Sequence, residues 1–163
     1  MGEAIIARRG GAGEAIVELE SFTPSKTVVI FHPDGELVRS TPTALSVARH
    51  ELAGASVGNY ALFAGGYGSS PYYKDTVDAY NTSLTRSTPT ALSVGREDLA
   101  GASVGNYALF AGGYGSSPYY KDTVDAYNTS LTRSTPTALS VGREDLAGAS
   151  VGNYALFAGG YGS

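Results

Sequence analysis

A chain of 163 residues that is 42% hydrophobic has the length and apolar content for a packed core, and a formal charge of −4 argues against a nucleic-acid partner. Cysteine is absent, which rules out disulfides, thiol catalysis and cysteine-ligated zinc. Twenty-two glycines and twelve tyrosines, beside no tryptophan and one methionine, point to an all-β chain of short strands and tight turns.

Residues 1–26 form an N-terminal arm or linker with apolar runs at 4–7 and 15–19, separated by Arg8, Arg9 and a glycine-rich piece at 10–13. The first run is too short for a signal-peptide core or a membrane span, so the sequence predicts synthesis in the cytoplasm and no membrane partner. The glycine-rich piece fails as a phosphate loop, because the third glycine of a GxGxxG pattern falls on Ile16 and no Gly-Lys-Ser/Thr follows. The opening GEAIIARRGG, residues 2–11, resembles the start of tail or baseplate-associated proteins of phages and prophages. That resemblance implies a virion-associated module docked through its arm.

From residue 27 the chain is organised by repetition. Residues 52–85 recur without change at 99–132, and a further copy runs from Leu146 to Ser163. Tyr60, Tyr107 and Tyr154 lie 47 residues apart, a period typical of propellers and solenoids. Shifting 74–86 back by one period lands on 27–39, which shares Leu37 and Arg39 and keeps a strand, a Pro33-Asp34-Gly35 turn and a strand. Residues 39–47 then match 86–94.

One repeat predicts four strands. The first covers 99–104 and turns at Gly105-Asn106 into the second at 107–111, whose residues are apolar on both faces. Gly112-Gly113 and the loop 114–121 lead to a third strand at 122–127 with one more polar face, and a turn at 128–130 leads to a fourth at 131–139. Pro136 removes a backbone donor there, so the fourth strand belongs at a sheet edge. Arg96, the Gly105-Asn106-Tyr107 hairpin, the Gly112-Gly113 doublet and the run from Val124 to Tyr127 together resemble a kelch repeat. A kelch blade usually carries a tryptophan about where Leu84 and Leu131 stand here.

The resemblance covers residues 27–163 and implies a β-propeller of four-stranded antiparallel blades. In that frame 27–45 is a half blade, 52–92 and 99–139 are full blades and 146–163 is a second half blade, three blade equivalents in all. Two chains would then close a six-bladed ring, a homodimer in which each half blade completes the other; the competing explanation is a piece of a longer array, since the sequence stops in mid-repeat at Ser163.

In alternating strands, the loop after the second strand and the link into the next blade emerge on one face. That face gathers Tyr72, Tyr73, Tyr119 and Tyr120 beside Arg96, Glu97, Arg143 and Glu144, with Arg49 and His50 in the first copy. Aromatic rings beside charges suit a protein or glycan ligand; alternatively the rings pack between blades and the charges are solvated. Catalysis is not expected, since His32 and His50 are the sole histidines and neither recurs. The pairs Glu97-Asp98 and Glu144-Asp145 have the chemistry of glycoside hydrolysis, but identical repeats set equivalent residues in similar surroundings. Asp75, Asp78 and their copies show no metal-ligand spacing, and no cofactor is expected. A binding module, a ligand-free structural or engineered scaffold and a glycan-active hydrolase are the three functional readings.

Overall fold

In the computed structural model residues 25–33 and 37–162 are described, and every regular element among them is a strand. The arm at 1–26 lies outside the described residues except for Ser25 and Lys26, as do the turn residues Asp34 and Gly35. The chain opens with β1 (Ile30–Pro33) and β2 (Leu37–Ser40), followed by β3 (Arg49–His50), β4 (Ala53–Val57), β5 (Tyr60–Ala64), β6 (Tyr67–Gly68), β7 (Val77–Tyr80) and β8 (Arg86–Ser87). The next copy supplies β9 (Arg96–Glu97), β10 (Ala100–Val104), β11 (Tyr107–Ala111), β12 (Tyr114–Gly115), β13 (Val124–Asn128) and β14 (Arg133–Ser134). The last strands are β15 (Arg143–Val151) and β16 (Tyr154–Gly162).

Two four-stranded antiparallel sheets, β4-β5-β7-β8 and β10-β11-β13-β14, have the same strand order. Each begins with a two-residue hairpin whose glycine, Gly58 or Gly105, takes a positive φ that matches the twist of the flanking strands. The predicted fourth strand shortens to two residues. The Asn128 side chain accepts hydrogen bonds from the Ser130 and Thr132 amides at 3.0 Å, and Leu131 adopts φ 60°, so the turn uses residues expected to be extended. β14 is an edge strand, where Pro136 disturbs no ladder.

The third strand departs further from its reading. Val124 through Tyr127 are all buried, and Asp125 is 0% exposed. Its carboxylate meets the equally buried Arg96 guanidinium at 2.9 Å and accepts from the Ser93 amide and hydroxyl. Arg96 also donates to the Phe110 and Val94 carbonyls. The first sheet repeats the arrangement with Arg49 and Asp78 at 2.8 Å. Such a pair repays its desolvation only through further hydrogen bonds; here Ser93 supplies them to the carboxylate and two carbonyls take them from the guanidinium NH groups, while Arg96 Nε stays without a partner. It clamps the segment entering each sheet to that sheet's third strand.

The first strands β4, β10 and β15 run side by side across the copies. A Cβ on Gly101 would lie 2.3 Å from the Gly54 carbonyl oxygen, so this packing distance requires glycine. A serine ladder follows the same line: the Ser56 amide donates to Ser103 Oγ at 3.1 Å and the Ser103 amide to Ser150 Oγ at 2.9 Å. Between the two sheets Leu62, Val77, Leu99, Phe110 and Tyr127 form the centre of one apolar cluster.

The N-terminal hairpin β1-β2 has a register that the one-period alignment misplaces. Phe31 pairs with Arg39 as Tyr80 pairs with Arg86, and the Leu45 amide bonds the Lys26 carbonyl where the Leu92 amide bonds Asp75. On the β2 side the offset is one period, 86 − 39 = 47, whereas on the β1 side it is 80 − 31 = 49. The stretch between the equivalent pairs is therefore two residues longer, running from 31 to 39 where the first sheet runs from 80 to 86. Ser25 rather than Thr27 stands in the place of Lys74, and Val29 stands in the place of Asp78.

Candidate functional site

Two short ladders build the loop face. β3 pairs with β6 and β9 with β12, which sets His50 opposite Tyr67 and Glu97 opposite Tyr114. β15 and β16 run on to the same level and set Glu144 opposite Tyr161. The loop after β12 curls back because the Lys121 ammonium donates to the Ser116 and Pro118 carbonyls, as Lys74 does to Ser69 and Pro71. Burial and then the nearby Arg96 charge lower the Lys121 pKa, so its two hydrogen bonds to the loop are made at some cost to its charge. The lysines thereby fix the tyrosines that precede them.

Seven tyrosines form one continuous array. Tyr72 stacks on Tyr67 with centroids 5.6 Å apart, and Tyr119 stacks on Tyr114 at 5.5 Å. Edge-on contacts carry the array between copies, from Tyr73 to Tyr114 at 5.9 Å and from Tyr120 to Tyr161 at 5.5 Å. Tyr72 and Tyr119 are each 56% exposed, whereas Tyr73 and Tyr120 are half-buried. Four of the residues proposed from sequence thus meet, joined by Tyr67, Tyr114 and Tyr161. Those three occupy the loop's first position in each copy, and only the ladder pairing reveals that they carry the stack.

The charged candidates divide. Arg96 is fully buried in its ion pair and offers nothing to a ligand on this face. Arg143 is half-buried and donates to the Gly159 carbonyl at 2.8 Å. Glu97 joins an acidic cluster with Glu51 and Asp98, whose carboxylate oxygens lie within 4.8 Å of one another. A shallow depression beside it is lined by Glu51, Asp98 and Asp145 with the leucine that follows each. These three residues stand at equivalent positions with φ between 50° and 56°, and their backbones hydrogen-bond in series, Asp98 to Glu51 and Asp145 to Asp98, both at 3.1 Å.

Crowding the acids raises their pKa values. Burial, then a hydrogen bond to Glu51 and the neighbouring negative charges, pushes the Glu97 carboxyl up to about 8. Asp98 is pushed up to about 6 by burial and the charge of Glu51. Glu144 is raised as well, by burial and Asp145. Glu97 and Glu144 differ in surroundings although their copies are identical in sequence, because the residue facing Glu97 from the preceding copy is the longer Glu51. Three hard oxygen donors have the chemistry of a calcium or magnesium ligand set, though fewer than either ion takes.

Among solved structures, the chain is similar to that of YjhT, a kelch-type β-propeller protein, with 16% sequence identity and a TM-score of 0.68. The match covers 85% of this chain and 46% of that one, so the chain spans about half the length of the protein it matches. No protein-family model and no curated protein matches the chain. No described helix is long and apolar enough to cross a membrane. With its repeated antiparallel sheets and first strands set side by side, the chain has an all-β, β-propeller-like fold.

Proposed function

We propose that the chain is a non-enzymatic binding module of kelch type, which presents its tyrosine-lined loop face to a protein or a glycan. The observation that carries this reading is the stacked array from Tyr72 to Tyr161. Rings already immobilised by stacking lose little freedom when a ligand lies on them, and Tyr72 and Tyr119 keep more than half their surface open. The test is a glycan and peptide array probed with the wild-type chain and a Tyr72→Ala/Tyr119→Ala variant. Both side chains are exposed, so the variant keeps its fold. Binding that the variant loses supports the reading, and binding that it retains overturns it. A blank array with the wild-type chain favours a ligand-free scaffold.

The proposal extends to assembly and place. Two chains close a six-bladed ring, with β1 and β2 of each completing β15 and β16 of the other; native mass spectrometry that finds only monomers refutes this. Synthesis in the cytoplasm and attachment to a virion through the arm at 1–26 complete the picture. A second reading, glycan hydrolysis, rests on Glu97, which holds its proton at neutral pH beside other carboxylates as a general acid must. Turnover of a glycan panel that disappears in Glu97→Gln would replace binding by catalysis as the activity.

A further inference from the structure

Between residues 49 and 133 the cations are taken up inside the fold, and the acids are not. Arg49 and Arg96 are buried against Asp78 and Asp125 at 2.8 and 2.9 Å, and Arg86 and Arg133 reach the same two aspartates at 3.7 and 3.5 Å. The ammonium groups of Lys74 and Lys121 turn to loop carbonyls. These six are all the arginines and lysines of that span. On the acidic side Glu51 meets only the His50 ring, at 3.0 Å. No ion pair among the described residues takes up Asp75, Glu97, Asp98 or Asp122.

The unbalanced charge lies against the tyrosine array. Glu97 stands opposite Tyr114 in the β9-β12 ladder, so their side chains leave the same side of it. Burial and then the Glu97 charge raise the pKa of the Tyr73 phenol, which sets the carboxylate beside that ring too. Tyr73 and Tyr114 meet edge-on at 5.9 Å, where one copy passes to the next. Glu97, with Asp98 and Glu51 next to it, therefore marks the middle of the array. Described copies flank this point on both sides, and Tyr72 and Tyr119 are equally exposed at 56%. The arrangement belongs to the repeat, not to either end of the sequence.

An occupant of this face must offer a flat surface to the rings and positive charge to the acids. A neutral sugar brings hydroxyl groups alone and leaves the carboxylates desolvated without a counter-charge, and an anionic sugar is repelled. A guanidinium meets both needs at once, since its plane lies on an aromatic face while the N–H groups on its edge bond a carboxylate. On the binding reading given above, we propose that the partner is a basic, arginine-bearing peptide segment of another protein and not a glycan. It lays guanidinium groups on the exposed rings of Tyr72 and Tyr119 and is held between them by Glu97 and Asp98.

The probe is labelled octa-arginine, titrated into the full-length chain by fluorescence anisotropy at pH 8.5, where Glu97, with a pKa of about 8, is ionised. Glu97→Gln/Asp98→Asn removes two negative charges at constant size, and asparagine tolerates the φ of 50° at residue 98. Both carboxyls carry raised pKa values, so removing them relieves crowding, and a loss of binding is not a loss of fold. This variant and Tyr72→Ala/Tyr119→Ala should each bind octa-arginine about 5-fold or more weakly. Glu18→Gln/Glu20→Gln takes the same charge from the arm and should leave binding within about 2-fold. A wild-type chain that ignores octa-arginine, an equal loss in the arm variant, or binding that survives either of the first two variants overturns the proposal. Tighter binding of a chitosan oligosaccharide also overturns it, because its ammonium groups would give the face to an amino sugar. The two readings fail separately. A chain that ignores octa-arginine but holds an array ligand through Tyr72 and Tyr119 loses the basic partner alone, whereas octa-arginine held through the acids and indifferent to the tyrosine variant removes the tyrosine face as the binding surface as well.

Discussion

Replacing Asp125 by asparagine keeps the size of the side chain and removes its charge. Arg96, 0% exposed, would retain bonds to the Phe110 and Val94 carbonyls but lose the anion at 2.9 Å, and its Nε already has no hydrogen-bond partner. Stranding one partner of a buried pair costs about 3–5 kcal/mol. Arg133, 3.5 Å from the other carboxylate oxygen and partly exposed, adds little to this. With a urea slope of about 2 kcal/mol per molar, the unfolding midpoint should fall by about 1.5–2.5 M at constant slope. Circular dichroism against urea measures it. Asp78→Asn should cost a similar amount, because its pair with Arg49 has the same geometry. The double variant Arg96→Met/Asp125→Leu should regain most of the loss, since no uncompensated charge is left inside. A loss below about 1 kcal/mol in Asp125→Asn, or a double variant less stable than the single, would refute the view that the guanidinium depends on the carboxylate.

Two further outcomes follow from the acidic cluster and the packed first strands. Because Glu97 and Asp98 are raised in the fold to about 8 and about 6 from ordinary values of 4.5 and 3.8, the folded chain holds more protons than the unfolded one between those limits. The stability they contribute is complete at acid pH and is lost as pH rises through 6 and then 8. The urea midpoint should be higher at pH 5 than at pH 8.5, with Glu97→Gln flattening the upper part of the trend; a midpoint that rises with pH contradicts the assignment. Gly101→Ala should lower stability by about 2 kcal/mol or more, because its Cβ would fall 2.3 Å from the Gly54 carbonyl oxygen and force the strands apart. Gly105→Ala, at φ +52° with open space around it, should lose only about 1 kcal/mol. Thermal melts that reverse this order would show that the close approach is not what limits the site.

The second strand at Tyr107–Ala111 was legible because glycines bound it on both sides and its apolar run has strand length. The meeting of the tyrosine loop with the segment around Glu97 was legible too, since it needs only alternating strand directions. The Arg96–Asp125 pair was not. Arginine and aspartate default to the surface, and the strand order that joins residues 29 apart is a tertiary fact. Alignment on Leu37 and Arg39 placed β2 correctly but carried its offset through a hairpin that holds two more residues between the equivalent pairs, with no sequence marker. The fourth strand was overextended because the Asn128 side chain closes its turn in competition with the ladder. The acidic cluster draws on separate copies and exists only once the first strands stand abreast.

The tyrosine array gives this protein an optical character of its own. With no tryptophan to drain the excitation, the ultraviolet emission belongs to tyrosine alone. Neighbouring rings 5.5–5.9 Å apart pass that energy among themselves before they emit. Rapid migration scrambles polarisation, so light leaves the loop face depolarised even though the rings are held still. A molecule that settles on Tyr72 or Tyr119 and changes their energies would interrupt the migration, and intrinsic anisotropy would register its arrival without a label.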